Sequence, residues 1–88
     1  GIFYSNMSVA YAKLGKPDEA EQILQKAASM KDGSLSGEAL AYSYNNLGLS
    51  YLEKNQKEKA ISYFNKALEL QPEFKAAREN LEKAKGEK

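Results

Sequence analysis

Residues 41–72 read AYSYNNLGLSYLEKNQKEKAISYFNKALELQP, and the spacing inside that stretch decides the fold. Leu40, Tyr44, Leu47 and Tyr51 recur at i, i+4, i+7 and i+11, which puts them on one face of a helix. After a break at Asn55 a second apolar face follows, made of Ala60, Phe64, Ala67 and Leu68. Two amphipathic helices joined by a short turn fold back antiparallel and bury such faces on each other. Gly48 falls mid-helix, where glycine costs about 1 kcal/mol relative to alanine. A close approach of two helices accounts for it, with Ala60 and Ala67 expected as the small residues opposite.

Working outward towards the N-terminus, the same pattern returns at an offset of 40 residues. Tyr4, Met7, Ser8 and Tyr11 match Tyr44, Leu47, Gly48 and Tyr51, while Ala20, Leu24 and Ala27 match Ala60, Phe64 and Ala67. Ser8 is small like Gly48 and Leu24 is apolar like Phe64, so an internal repeat is the economical reading. Between the helices of this first unit, Gly15 suits the left-handed conformation that closes a helix, and Asn55 at the same offset is the next most tolerant residue. Pro17 suits the first turn of the following helix, with Asp18 and Glu19 complementing its positive end. The expected helices span residues 2–14 and 17–30. Residues 31–37 form a turn-rich linker, with a loop over 32–36. Towards the C-terminus, residues 73–85 predict one more helix, with Phe74, Ala77, Leu81 and Ala84 on one face.

The chain resembles the tetratricopeptide repeat family. The resemblance rests on Tyr44, Leu47, Gly48 and Tyr51, then Ala60, Phe64, Ala67 and the closing Pro72, with Tyr44 where the family often has Trp. It implies an all-α fold, a right-handed superhelix of antiparallel helical hairpins with five helices. The expected organisation is one domain over 1–88, read as a fragment of a larger protein. It comprises repeat one (1–34), the insertion at 31–37, repeat two (38–74) and a capping helix (73–85). Arg78 at the aromatic position and Glu82 at the glycine position mark that last helix as a cap with a polar outer face. The period of 40 exceeds the family's usual value of about 34. Longer periods resemble Leu-Gly-Asn repeat proteins, kinesin light chains and bacterial Rap regulators. Leu49 stands where Leu-Gly-Asn needs its asparagine, so no subfamily follows.

In the family, the first helix of each pair lines a concave groove. Carried over residue by residue, that groove comprises Ile2, Ser5, Val9, Ala12 and Lys13 from unit one. Unit two contributes Tyr42, Asn45, Asn46, Leu49, Leu52 and Glu53, with Glu79 and Lys83 approaching from the cap. Such a groove, apolar with a few amides, suits an extended peptide or a partner's helix. Each position also has a plainer reading. Ile2 and Val9 could cover the end of the core, Tyr42 could pack on the previous hairpin, and Asn45 and Asn46 could simply face water. A clamp for a chaperone's C-terminal carboxylate would need a Lys and Asn set, and of Ser5, Val9, Asn46, Ala76 and Asn80 only Asn46 matches.

Composition narrows the function classes. There are 13 Lys and Arg against 12 Asp and Glu, interspersed along the chain. With no basic stripe, RNA binding by helical repeats and nucleic acid generally are disfavoured. The absence of His and Cys removes the usual bases, nucleophiles and metal ligands, so no enzyme, cofactor or metal site is expected. Glu58 and Glu69 read as solvated charges beside lysines. No apolar run approaches the ~20 residues of a membrane span, and no signal peptide is visible. The compartment stays open, with the cytoplasm as the default. The functional expectation is a scaffold or adaptor module for protein or peptide partners. The alternative is a stacking or self-association segment that uses the Ile2 and Phe3 end.

Overall fold

In a computed structural model of the chain, which describes residues 2–29 and 37–86, the described residues form five α-helices. They are α1 (Ile2–Lys13), α2 (Pro17–Ser29), α3 (Gly37–Glu53), α4 (Lys57–Leu70) and α5 (Lys75–Ala84). The expected loop over 32–36 lies outside the described residues. The side chains of Ile2, Phe3, Tyr4 and Ser5 do too. Backbone packing runs α1 on α2, α1 and α2 on α3, α3 on α4, and α3 and α4 on α5. Each helix therefore meets its near neighbours along the chain, the pattern of a repeat solenoid.

The two helical turns are built alike. Gly15 (φ 79°) and Asn55 (φ 64°) both adopt the left-handed conformation after α1 and α3. The Lys16 N–H donates to the Tyr11 carbonyl at 2.9 Å and the Gln56 N–H to that of Tyr51 at 2.9 Å. Gly15 N–H reaches the Ala12 carbonyl at 3.1 Å, and Asn55 N–H reaches that of Leu52 at 3.0 Å. These paired bonds satisfy carbonyls that a helix end leaves open. Pro17 and the acidic pair Asp18 and Glu19 occupy the first turn of α2, as the sequence expects.

Burial follows the repeat signature. Ala20, Leu47, Tyr51, Ala60, Phe64 and Ala67 are fully buried, and Leu24 and Ala27 nearly so. Ser8 is fully buried as well, and its hydroxyl donates to the Ala20 carbonyl of α2 at 3.0 Å. Met7, Tyr11 and Tyr44 are half-buried, while Pro72 is exposed in the turn after α4. One expectation needs correcting. What lies against Gly48 is the ring of Phe64 rather than Ala60 or Ala67: a Cβ at Gly48 would stand 2.6 Å from Phe64 Cε1.

The helix α5 buries Ala77, Leu81 and Ala84. It begins at Lys75 rather than at residue 73, because the Phe74 N–H closes a turn onto the Gln71 carbonyl at 3.0 Å. The Arg78 guanidinium donates to the Pro72 carbonyl at 2.8 Å and fixes that turn from the far side. Arg78 and Glu82 are exposed.

Candidate peptide-binding face

Tyr42, Asn46, Leu49 and Glu53 recur at i, i+4, i+7 and i+11 along α3. Each comes two residues after one of Leu40, Tyr44, Leu47 and Tyr51, a rotation of about 200° that sets the two stripes on opposite sides of the helix. The Tyr44 side packs into the core, so the Tyr42 side is left for contacts made elsewhere.

Two hollows open along that second stripe. One, of about 220 Å³, is lined by Ala12 and Lys13 of α1 and by Asn46, Leu49, Ser50 and Glu53 of α3. Its apolar wall is Ala12 and Leu49, and Lys13 and Glu53 bring one charge of each sign. Ala12 is only 4 % exposed, so it supplies floor rather than a reaching side chain. The Asn46 amide is steadied by donating to the Tyr42 carbonyl at 3.0 Å. The Ser50 hydroxyl is buried without a hydrogen-bond partner. Val9 and Leu52 are half-buried, and Leu52 and Leu49 rest against the main core.

The second hollow, of about 640 Å³, is lined by Glu38, Ala39, Tyr42, Gln71, Glu73 and Phe74. Tyr42 is 49 % exposed there, and the residues it faces come from the turn before α5. Asn45 leaves the face altogether. It is 6 % exposed, and its Oδ1 accepts from Asn80 Nδ2 of the cap at 2.9 Å. The physical reason is that α5 packs on α3 at this position, so the amide is spent on holding α5. Glu79 and Lys83 on α5 are exposed.

On the other side of α3 lies a cluster that was not singled out from the sequence. The single Tyr51 O–H proton is shared between Glu21 Oε1 at 2.9 Å and Asp18 Oδ1 at 3.1 Å, and Tyr63 donates to Glu21 Oε2. Lys59 Nζ stands 3.6 Å from the same carboxylate and 4.8 Å from the Tyr51 ring centroid. The rings of Tyr44 and Tyr63 stack at 5.7 Å and those of Tyr51 and Tyr63 at 5.8 Å. Lys66 lies 5.8 Å from the Tyr44 centroid and 5.9 Å from that of Tyr63. Burial pushes the Glu21 carboxyl up, but the hydroxyls of Tyr63 and Tyr51 and the Lys59 charge outweigh it and hold it below its usual value. Burial, and then Glu21 itself, push the Tyr51 and Tyr63 phenols far up. The group ties α2 to α3 and α4, one repeat to the next. Its signal was present: Glu21 is four residues after Pro17 and three before Leu24, on the buried stripe of α2.

No group of three or more metal-ligating side chains occurs among the described residues, and no described helix is long and apolar enough to cross a membrane.

Helices that pack on their neighbours through a signature repeated along the chain define a helical-repeat protein. A family model described as "Tetratricopeptide repeat" matches residues 2–73, and the chain belongs to that family. It is 39 % identical over 62 residues to the tetratricopeptide repeat domain-containing protein PYG7, chloroplastic, of Arabidopsis thaliana. That match covers 70 % of the chain and 20 % of the relative, so the chain spans about a fifth of that protein's length. Tetratricopeptide repeats generally mediate protein–protein interaction and are typically non-catalytic.

Proposed function

We propose that the chain is a scaffold or adaptor module that holds an extended peptide or a partner's helix along the face shared by α1 and α3. The observation that carries this reading is the hollow between those helices, where Ala12, Lys13, Asn46, Leu49 and Glu53 converge. Its mixture of apolar wall, amide and opposite charges suits a peptide, whose backbone takes the amide and whose side chains take the wall.

The test is a heteronuclear NMR titration of the chain with a peptide selected from a random display library. Shifts centred on Lys13, Asn46, Leu49 and Glu53 are expected. Combining Lys13→Glu with Glu53→Lys, both on exposed side chains, should weaken binding about tenfold without lowering the melting temperature. Shifts confined to α2 and α4 would refute the assignment. Shifts in α1 that follow protein concentration with no peptide present would replace it with self-association.

A further inference from the structure

We infer that the hollow beside Tyr42 is a recognition site for an arginine side chain of the bound partner. The inference rests on the reading of the α3 face as peptide-binding and adds to it a second, chemically distinct subsite.

Among the described residues the lining is two aromatic rings, Tyr42 and Phe74, two carboxylates, Glu38 and Glu73, the Gln71 amide and Ala39. An aromatic face attracts a cation through its quadrupole, and a carboxylate accepts a guanidinium through two parallel hydrogen bonds. The planar guanidinium is the group that can use both at once, stacking on a ring while its edge is held. The Gln71 side chain supplies a further carbonyl acceptor. Charge complementarity points the same way. Both carboxylates are exposed, and neither has a cationic partner among the described residues. The nearest cation along the chain, Lys75, is exposed and makes no ion pair with Glu73 among the described residues, and Arg78 has its guanidinium engaged by the Pro72 carbonyl. The last turn of α4, whose carbonyl end adjoins this region through Leu70 and Gln71, carries no basic residue.

A plainer account is that the two glutamates only complement the positive ends of α3 and α5. Helix complementation needs neither the half-exposed Tyr42 nor Phe74 on the same wall. The walls are also held in advance of any ligand. Phe74 and Glu73 belong to a turn closed by the Phe74 to Gln71 bond and by Arg78, and Tyr42 stands on the regular helix α3. A volume of about 640 Å³ leaves room for one long side chain and the backbone that bears it.

The test uses two short capped peptides that differ at one residue, arginine in one and citrulline in the other, titrated against the chain by NMR. Citrulline keeps the shape and loses the charge. The arginine peptide should shift Glu38, Tyr42, Glu73 and Phe74 and bind at least about tenfold more tightly than its citrulline partner. Combining Glu38→Gln with Glu73→Gln should abolish that difference while leaving the melting curve in place. Equal binding of the two peptides, or arginine-dependent shifts located elsewhere, would overturn the inference. If a library peptide still binds at Lys13, Asn46 and Leu49, the loss applies to this subsite alone. If that face is silent as well, the peptide-binding reading falls with it.

Discussion

A methyl group placed at Gly48 would lie 2.6, 2.8 and 3.0 Å from three ring atoms of Phe64, the residue sixteen positions later on the facing helix. The contact explains why a residue that weakens helices stands in the middle of the longest one. Alanine there would recover about 1 kcal/mol of helix propensity while forcing a fully buried ring to move, at a cost of about 1–3 kcal/mol. Gly48→Ala is therefore expected to lower stability by up to about 2 kcal/mol, and Gly48→Val by more. Chemical denaturation of the two variants measures it. A higher midpoint for Gly48→Ala, or an unchanged one for Gly48→Val, would mean the helices do not meet here.

Asn55 holds a left-handed backbone that Gly15 holds in the other turn. A side chain without a local hydrogen-bonding group is strained there by about 1 kcal/mol or more. Asn55→Ala should lower the melting temperature, and Asn55→Gly should leave it level or raise it. The contrast between the two separates backbone strain from any contact made by the Asn55 side chain, which is exposed.

Glu21 links stability to acid. Its carboxyl titrates below its ordinary value of 4.5 in the folded chain, so the stability it confers is present above that value and is lost as pH falls through the lower folded one. The melting temperature should drop as pH is taken from neutrality to about 3, and Glu21→Gln should flatten that fall. Equal acid sensitivity in both proteins would show that the carboxylate is not what binds α2 to α4.

The same cluster acts in the opposite sense in alkali. Tyr51 and Tyr63 are raised by burial and by Glu21, and Tyr44 by burial, above the ordinary phenol value of 10.0. Their stabilising effect is complete below that value and is lost as pH rises beyond it, because the unfolded chain ionises first. Phenolate absorbance should therefore come up in two stages, the second coinciding with loss of helicity. A single stage complete before the helices melt would contradict the buried assignments.

The Asn80 to Asn45 bond is a polar tie between α5 and α3. Removing Asn80 leaves the Asn45 amide oxygen buried without that donor, a cost of about 1–3 kcal/mol. Asn80→Ala should raise hydrogen exchange in α5 more than in α1. The double substitution with Asn45→Ala should cost less than the sum of the single ones.

The fold was legible because it is written in spacing. The forty-residue offset, the left-handed turns and the face of the cap all depend on residue type at fixed intervals, which a sequence displays directly. What the sequence could not show was which residue fills the space opposite Gly48, since Ala60, Phe64 and Ala67 share one face and only packing selects among them. Nor could it show that α5 covers Asn45 but leaves Asn46 open, because that depends on where one helix crosses another. Glu21 is hard to read from sequence because an acidic residue is solvated by default, and its partners lie 30 and 42 residues away. The Tyr42 hollow is assembled from both ends of the second hairpin and the start of the cap, segments that no local pattern brings together.

The stacked rings of Tyr44, Tyr63 and Tyr51 give the protein a built-in optical gauge. The chain has no tryptophan, so its near-ultraviolet signal comes from tyrosine and phenylalanine alone. Three of its six tyrosines are held in one ladder that spans α3 and α4. Circular dichroism from those rings reports the seam between the helices, whereas the peptide band reports the helices themselves. Followed together in one unlabelled sample, the two bands distinguish a chain that has lost its packing from one that has lost its coil.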